Sequence, residues 1–380
     1  MPKAVIFGAG KIARGFIGQL LFDAGISFAF VEKNAELVRL LNGRGGYQVN
    51  VLGAPEKSER ITGYAAICTD DPDAVAAAAQ DTEIIFTAVG GKNLDALAPI
   101  IAHALRAAPR ALNVITCENW KHPAAQLARE VKRIAPDLKA GFAEAVVMRS
   151  AIEPNAEQLA LDPLAVNVQD YWNLPVDAGA LIAPLINVPG LTLVNDFAGF
   201  LERKFYTYNA ANGTVSYLGA LLGHTVLADA AWDARIEPAL EQVYDETGRA
   251  LSQKYGIPLE EQRAFANTSR AKLRDRIIAD NIERNARDPM RKLGPDDRLV
   301  GSARLVEQYG IVPEGLATAI AAALYYENPD DPSAVELQRI RSEVGSEGAL
   351  ERICKIQPGE RLYRLVLEKQ AMLEEKEWIR

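Results

Sequence analysis

With 380 residues, the chain is long enough for two domains, and 49% hydrophobic against 24% charged residues is a globular balance that excludes a disordered or fibrous chain. Fifty acidic against 42 basic residues leave a net charge of −8, the wrong sign for a protein that grips nucleic acid by its phosphates. Three Cys and three His, scattered without CxxC or HExxH spacing, exclude a disulfide framework and give no metal site.

In chain order, Lys3 to Phe7 is a run of strand formers that stops at Gly8-Ala9-Gly10. Ile12 to Gly25 then takes helical spacing through Phe16, Leu20 and Leu21, and Phe28 to Val31 reads as a second strand. A helix over Ala35 to Leu41, a strand over Glu83 to Val89, a helix over Leu94 to Ala107 and a strand over Ala111 to Thr116 continue the alternation. Leu164 to Trp172 alternates too and is expected as an antiparallel strand at the sheet edge. From Asp196 onward β patterning stops. Ile236, Leu240, Val243, Thr247 and Leu251 instead form a helical stripe that ends near Gly256 and Pro258, and Arg361 to Arg380 is helical. The expected architecture is therefore an α/β Rossmann domain over residues 1–195 followed by an all-α domain over residues 196–380. The N-terminus reads as strand and turn rather than as a leader, and no apolar run approaches about 18 residues. A cytoplasmic protein with no membrane or nucleic-acid partner and a small-molecule substrate is expected, with the oligomeric state left open.

Gly8-x-Gly10-x-x-Ala13 lies between the first strand and the first helix. There, glycines permit a tight turn and close backbone approach to a pyrophosphate, whose charge meets the N–H groups of the helix start. Phe7, Gly8, Ala9, Gly10, Lys11 and Ile12 are the expected contacts. Glu32 ends the second strand 22 residues beyond Gly10, where a carboxylate accepts from ribose hydroxyls and repels a 2′-phosphate. NAD is the expected cofactor. Thr87 and Val89, ending a later strand, are expected to border it.

The densest polar cluster in the second half runs from Lys204 to Asn212. At helical spacing Asn209 lies about 140° and Asn212 about 80° from Lys204, so all three can face one cleft. A desolvated lysine can take an alcohol proton while amides hold the developing alkoxide; a solvated lysine and an Asn212-Gly213 turn are the plain alternatives. Arg291, Lys292 and Arg298 form a basic group that can hold an anionic substrate group, with Arg291 placed near the cleft, or that is simply a solvated helix face. Cys117 lacks any partner that would lower its pKa and reads as a buried strand-end residue.

The segments GAGKIARGFIG, ITCENW, FLERKFYTYNAANGTVSYLG and RDPMRKLGPDDRL, in this order, resemble the polyol-specific long-chain dehydrogenases, in particular their mannitol-1-phosphate branch. The resemblance implies a Rossmann domain joined to a helical domain, metal-independent chemistry, Lys204 as acid/base, and Asn119 and Asn209 as the amides that hold the alkoxide. Two positions depart from the pattern. The His of Lys-x4-Asn-x2-His is Asn212, and an acidic residue of the family is Met148, followed by Arg149. Asn212 and Arg149 are accordingly expected to touch substrate. A sugar alcohol phosphate such as mannitol 1-phosphate and its ketose are the expected pair. A sugar acid, an opine-like conjugate, or a sensor without catalysis remain the alternatives.

Overall fold

Ala4–Phe7 has no polar residue to turn outward, as a strand covered on both faces requires. In the computed structural model, which describes residues 2–278 and 280–379, this strand lies inside a six-stranded parallel sheet. The order across the sheet is Ala65–Cys68, Phe28–Glu32, Ala4–Phe7, Ile84–Thr87, Leu112–Thr116 and Ala140–Glu144. Ala4 and Ile6 point into a core shared with Phe16, Ile17 and Phe30, whereas Val5 and Phe7 point to the opposite face, against Ile101 and Leu127. After Ala65–Cys68 the chain crosses back to pair Ile84–Thr87 with the other edge of Ala4–Phe7. That reversal opens a crevice at the carboxyl ends of those two strands, where doubly wound sheets bind ligands.

The helix after the first turn is not uniform. Ala13–Gly18 is a π turn that passes into the α-helix Gln19–Asp23. A π turn displaces the backbone ladder and leaves carbonyls seeking donors. The Tyr47 hydroxyl donates to the Arg14 carbonyl (3.0 Å), and Arg149 Nη1 donates to the Gly15 carbonyl (3.0 Å). A Cβ on Gly15 would stand 2.7 Å from the Val168 side chain, so the helix and that strand pack through a bare backbone.

Val166–Gln169 is a strand, but not at the edge of the large sheet. It pairs parallel with Gly46–Leu52 and antiparallel with Ala151–Ile152 in a separate four-stranded sheet completed by Glu59–Thr62. Alternation shows that a segment is a strand and carries no information about its partner, which here lies more than a hundred residues earlier.

The chain divides into two units, Met1–Phe197 and Ala198–Arg380. The second is helical, and its described residues contribute only an isolated bridge, Val226 to Asn281, to β structure. Glu237–Tyr255 is stopped by Gly256 in the left-handed conformation and packs on Glu314–Leu324, buried from Gly315 through Leu324. The Glu246 carboxylate is buried between them and accepts from the Gly315 (2.7 Å) and Leu316 (3.3 Å) N–H groups at that helix start. Burial pushes its pKa up to about 7, against the opposing pull of those two bonds. No helix among the described residues is long and apolar enough to cross a membrane.

Tyr47 is fully buried, so Tyr47→Phe leaves the Arg14 carbonyl without its donor at the price of no packing volume. A loss of about 1–3 kcal/mol is expected in denaturant unfolding; an unchanged midpoint would show that the π turn does not need this bond.

Candidate active site

In the N-terminal unit, Gly8 adopts φ +94°, and a Cβ there would stand 2.5 Å from the Ala88 carbonyl oxygen. Only glycine lets the end of the first strand approach the end of its neighbour this closely. A Cβ on Gly10 would meet nothing within 4 Å, so the turn presents bare backbone to open space. Ala9 is held from two sides: its N–H donates to Glu32 Oε2 (2.8 Å), and its carbonyl accepts from Arg14 Nη1. Glu32 Oε1 accepts from the Asn34 N–H (2.9 Å), which fixes the carboxylate at the crevice rim. Phe7 and Thr87 are buried strand ends, and Ile12 opens the π turn. Lys11 forms an exposed ion pair with Glu153 (2.8 Å). A glycine cradle, a helix start behind it and a carboxylate at the second strand end fit a dinucleotide.

At the end of Leu112–Thr116, Cys117 and Glu118 are buried and Asn119 is exposed. Burial, with the Glu118 charge added, pushes the Cys117 thiol well up, which removes it as a nucleophile.

Arg149 is buried. It is 2% exposed, and Nε donates to the Gln169 carbonyl (2.8 Å) while Nη1 donates to the Gly15 carbonyl and to Gln19 Oε1 (2.8 Å). Its guanidinium lies over the Trp172 ring at 4.3 Å. The displaced carbonyl of the π turn needs a buried donor, and Arg149 supplies it, while its Nη2 is buried without a hydrogen-bond partner. Neighbouring Met148 is buried, and its sulfur accepts from the Tyr171 hydroxyl (3.3 Å).

In the C-terminal unit, Lys204 ends the helix Phe197–Lys204, a π turn occupies Phe205–Asn209, and Ala210–Leu221 continues as α-helix. The Ala210 N–H reaches back to the Phe205 carbonyl, five residues earlier. A π turn rotates less per residue than an α-helix, so it brings Lys204 and Asn209 closer in angle than the about 140° of α spacing. Asn212 lies within the following helix, which removes the Asn212-Gly213 turn; its Nδ2 donates to Asn285 Oδ1 (3.0 Å). The Asn285 carbonyl in turn accepts from Lys292 Nζ. The Lys204 and RDPMRKL segments thus meet through an asparagine pair.

The basic group divides between solvent and interior. Arg291 is turned to carboxylates, with Nε on Asp288 (2.6 Å) and Nη1 on Asp297 (3.0 Å), and its side chain is 52% exposed. Lys292 is buried, and Arg298 packs over the Phe205 ring at 5.4 Å. Pro289–Lys292 is a four-residue helix, too short for periodicity to tell which of two adjacent cations turns inward. Burial lowers the Lys204 pKa, and the Arg298 charge lowers it further. Burial, then Arg298 and Arg291, push Lys292 down to about 7. Lys272, which the sequence did not single out, is pushed down to about 8 by burial and then by Lys204. An amine of lowered proton affinity is more readily unprotonated than an ordinary lysine and can take a proton from substrate, and neighbouring amides can donate to an oxygen.

The family model of the mannitol dehydrogenase Rossmann domain matches residues 2–189, and that of the mannitol dehydrogenase C-terminal domain matches residues 196–355. Among solved structures, a D-sorbitol dehydrogenase in substrate-free form is similar at a TM-score of 0.80 and 17% identity, over 99% of this chain and 94% of that one. The Pseudomonas fluorescens mannitol 2-dehydrogenase, in ternary complex with NAD and D-mannitol, gives 0.68 and 17% over 99% and 92%.

The Lys292 ammonium is disfavoured in the folded chain, so between about pH 7 and 10.5 the unfolded chain binds more protons and stability rises with pH. Denaturant unfolding at about pH 7 and about pH 9.5 is expected to show the native chain gaining more than Lys292→Met, by at most about 1.4 kcal/mol per pH unit for one group. Equal gains would mean that Lys292 titrates as an ordinary lysine.

Proposed function

The chain belongs to the mannitol dehydrogenase family, and on that premise we propose that it is an NAD-dependent oxidoreductase interconverting a sugar alcohol phosphate, such as mannitol 1-phosphate, with its ketose. The observation that carries this reading is Lys204 at the head of a π turn that Asn209 ends, with the lysine's proton affinity lowered by burial and by Arg298.

NAD, when bound, supplies the acceptor for the hydride that leaves the carbinol carbon. The unprotonated Lys204 amine takes the hydroxyl proton as the C–O bond becomes a carbonyl; in reduction the ammonium returns it. The Asn209 amide donates to the oxygen while it carries negative charge, and the family resemblance assigns Asn119 as a second donor. Gly8 and Gly10 admit the pyrophosphate, and Glu32 accepts from the ribose hydroxyls while disfavouring a 2′-phosphate. NAD is also the dinucleotide held by the mannitol 2-dehydrogenase of the same fold.

A phosphorylated substrate is supported by the cations that turn inward. The Arg298 charge lowers the proton affinity of both Lys204 and Lys292, and an anionic substrate group placed among them offsets that repulsion. Asn212, tied to Asn285, offers an amide where the family pattern has a titratable ring, so this position orients substrate without exchanging a proton.

The test is steady-state turnover of a panel of ketose phosphates, free ketoses, uronates and sugar–amino acid conjugates with NADH and NADPH. A ketose phosphate with NADH is expected to give the highest kcat/KM. Lys204→Ala is expected to lower kcat by about 10²–10⁴-fold with NADH affinity within about twofold. Retention of more than about a tenth of kcat would remove Lys204 from the mechanism. Preference for a sugar acid or a conjugate would replace the substrate class, and no turnover of any member would leave a nucleotide-binding sensor.

A further inference from the structure

Glu118 is a buried carboxylate at the carboxyl edge of the large sheet, two residues beyond the strand Leu112–Thr116. Its Oε1 accepts from the Thr87 hydroxyl (3.0 Å) and the Val89 N–H (2.9 Å), and Oε2 accepts from the Gly90 N–H (2.8 Å). All three donors belong to the end of the adjacent strand Ile84–Thr87 and the loop that follows it. That loop is the crevice wall opposite the glycine turn, because the Ala88 carbonyl fills the place of a Gly8 side chain. Gly90, with φ +84°, turns the chain away immediately afterwards.

A doubly wound sheet binds a dinucleotide with one mononucleotide on each half. The half that contains Gly8, Gly10 and Glu32 serves the adenosine side through its ribose-binding carboxylate. The half that begins with Ile84–Thr87 is left for the nicotinamide side. Resting on the NAD reading above, we infer that Glu118 is a positioning residue for the nicotinamide half: its carboxylate clamps residues 87–90 into one conformation and acts on the cofactor only through them. A carboxylate suits this task because it is acceptor-only and can meet three donors at once with charge-assisted bonds. Glutamine has one acceptor oxygen, and its NH2 would face at least one of the same N–H donors.

The experiment compares NADH with ADP-ribose, which lacks the nicotinamide, by titration calorimetry on the native chain, Glu118→Gln and Thr87→Val. Glu118→Gln is expected to weaken NADH about tenfold or more and to leave ADP-ribose within about twofold, since the bonds lost are to a charged group. Thr87→Val removes one of the three donors without altering charge, and a smaller loss confined to NADH is expected. It decides the matter if Glu118→Gln does not fold. Unchanged NADH affinity in the folded variants would overturn the inference. So would equal weakening of both ligands, which would make Glu118 a support of the fold alone. A native chain that binds neither ligand would instead overturn the NAD reading on which the inference rests.

Discussion

An ammonium group loses hydration when it is buried and loses more stability when a guanidinium stands beside it; Lys204 is subject to both. The helical unit sustains this arrangement because the lysine is not on a free helix face. It begins a π turn whose neighbours are fixed: Arg298 lies over Phe205, and the Gln262 side-chain amide donates to the Thr207 hydroxyl at 2.9 Å. The Asn212–Asn285 pair and the Lys292 bond to the Asn285 carbonyl then bring a second buried amine into the same cluster. The cost of crowding cations is met by the surrounding helix packing, and its product is a set of amines whose proton affinity lies below that of an ordinary lysine.

A common device recurs in both units: a buried charged side chain clamps backbone groups that regular structure leaves unpaired. Arg149 meets a carbonyl displaced by the π turn behind the glycine loop, Glu118 meets two loop N–H groups at the sheet edge, and Glu246 meets two N–H groups at a helix start. Each would be expensive if left alone, and each bonds to groups that themselves need partners, although Arg149 Nη2 is buried without one. These residues fix the backbone segments they bond to.

Much of this was legible in the residues, and the boundary is physical. The glycine turn and Glu32 were readable because the constraint is local: a tight turn between a strand and a helix, and a carboxylate at the next strand end. The Gly256 helix stop was readable for the same reason. Arg149 was not, because its role depends on a π turn more than a hundred residues earlier, and nothing in the helical pattern of Ile12 to Gly25 announces the change of pitch. The same change of pitch at Phe205–Asn209 alters the angle between Lys204 and Asn209, which α spacing alone misplaces. Arg291 and Lys292 are adjacent cations whose division between solvent and interior is decided by Asp288, Asp297 and Asn285, at distances the sequence does not print. Val166–Gln169 was recognisable as a strand and unassignable to a sheet, since pairing is a long-range choice.

The central claim is that Lys204 gives and takes the proton that accompanies hydride transfer. The most direct measurement is kcat/KM for the ketose phosphate and for the polyol phosphate, each across pH 6–10. If Lys204 is the acid/base, oxidation falls as pH is lowered and reduction falls as pH is raised, and both limbs share one apparent pKa below the ordinary lysine value of 10.5. Profiles that are flat in both directions, or that lose activity on the same side, would contradict it.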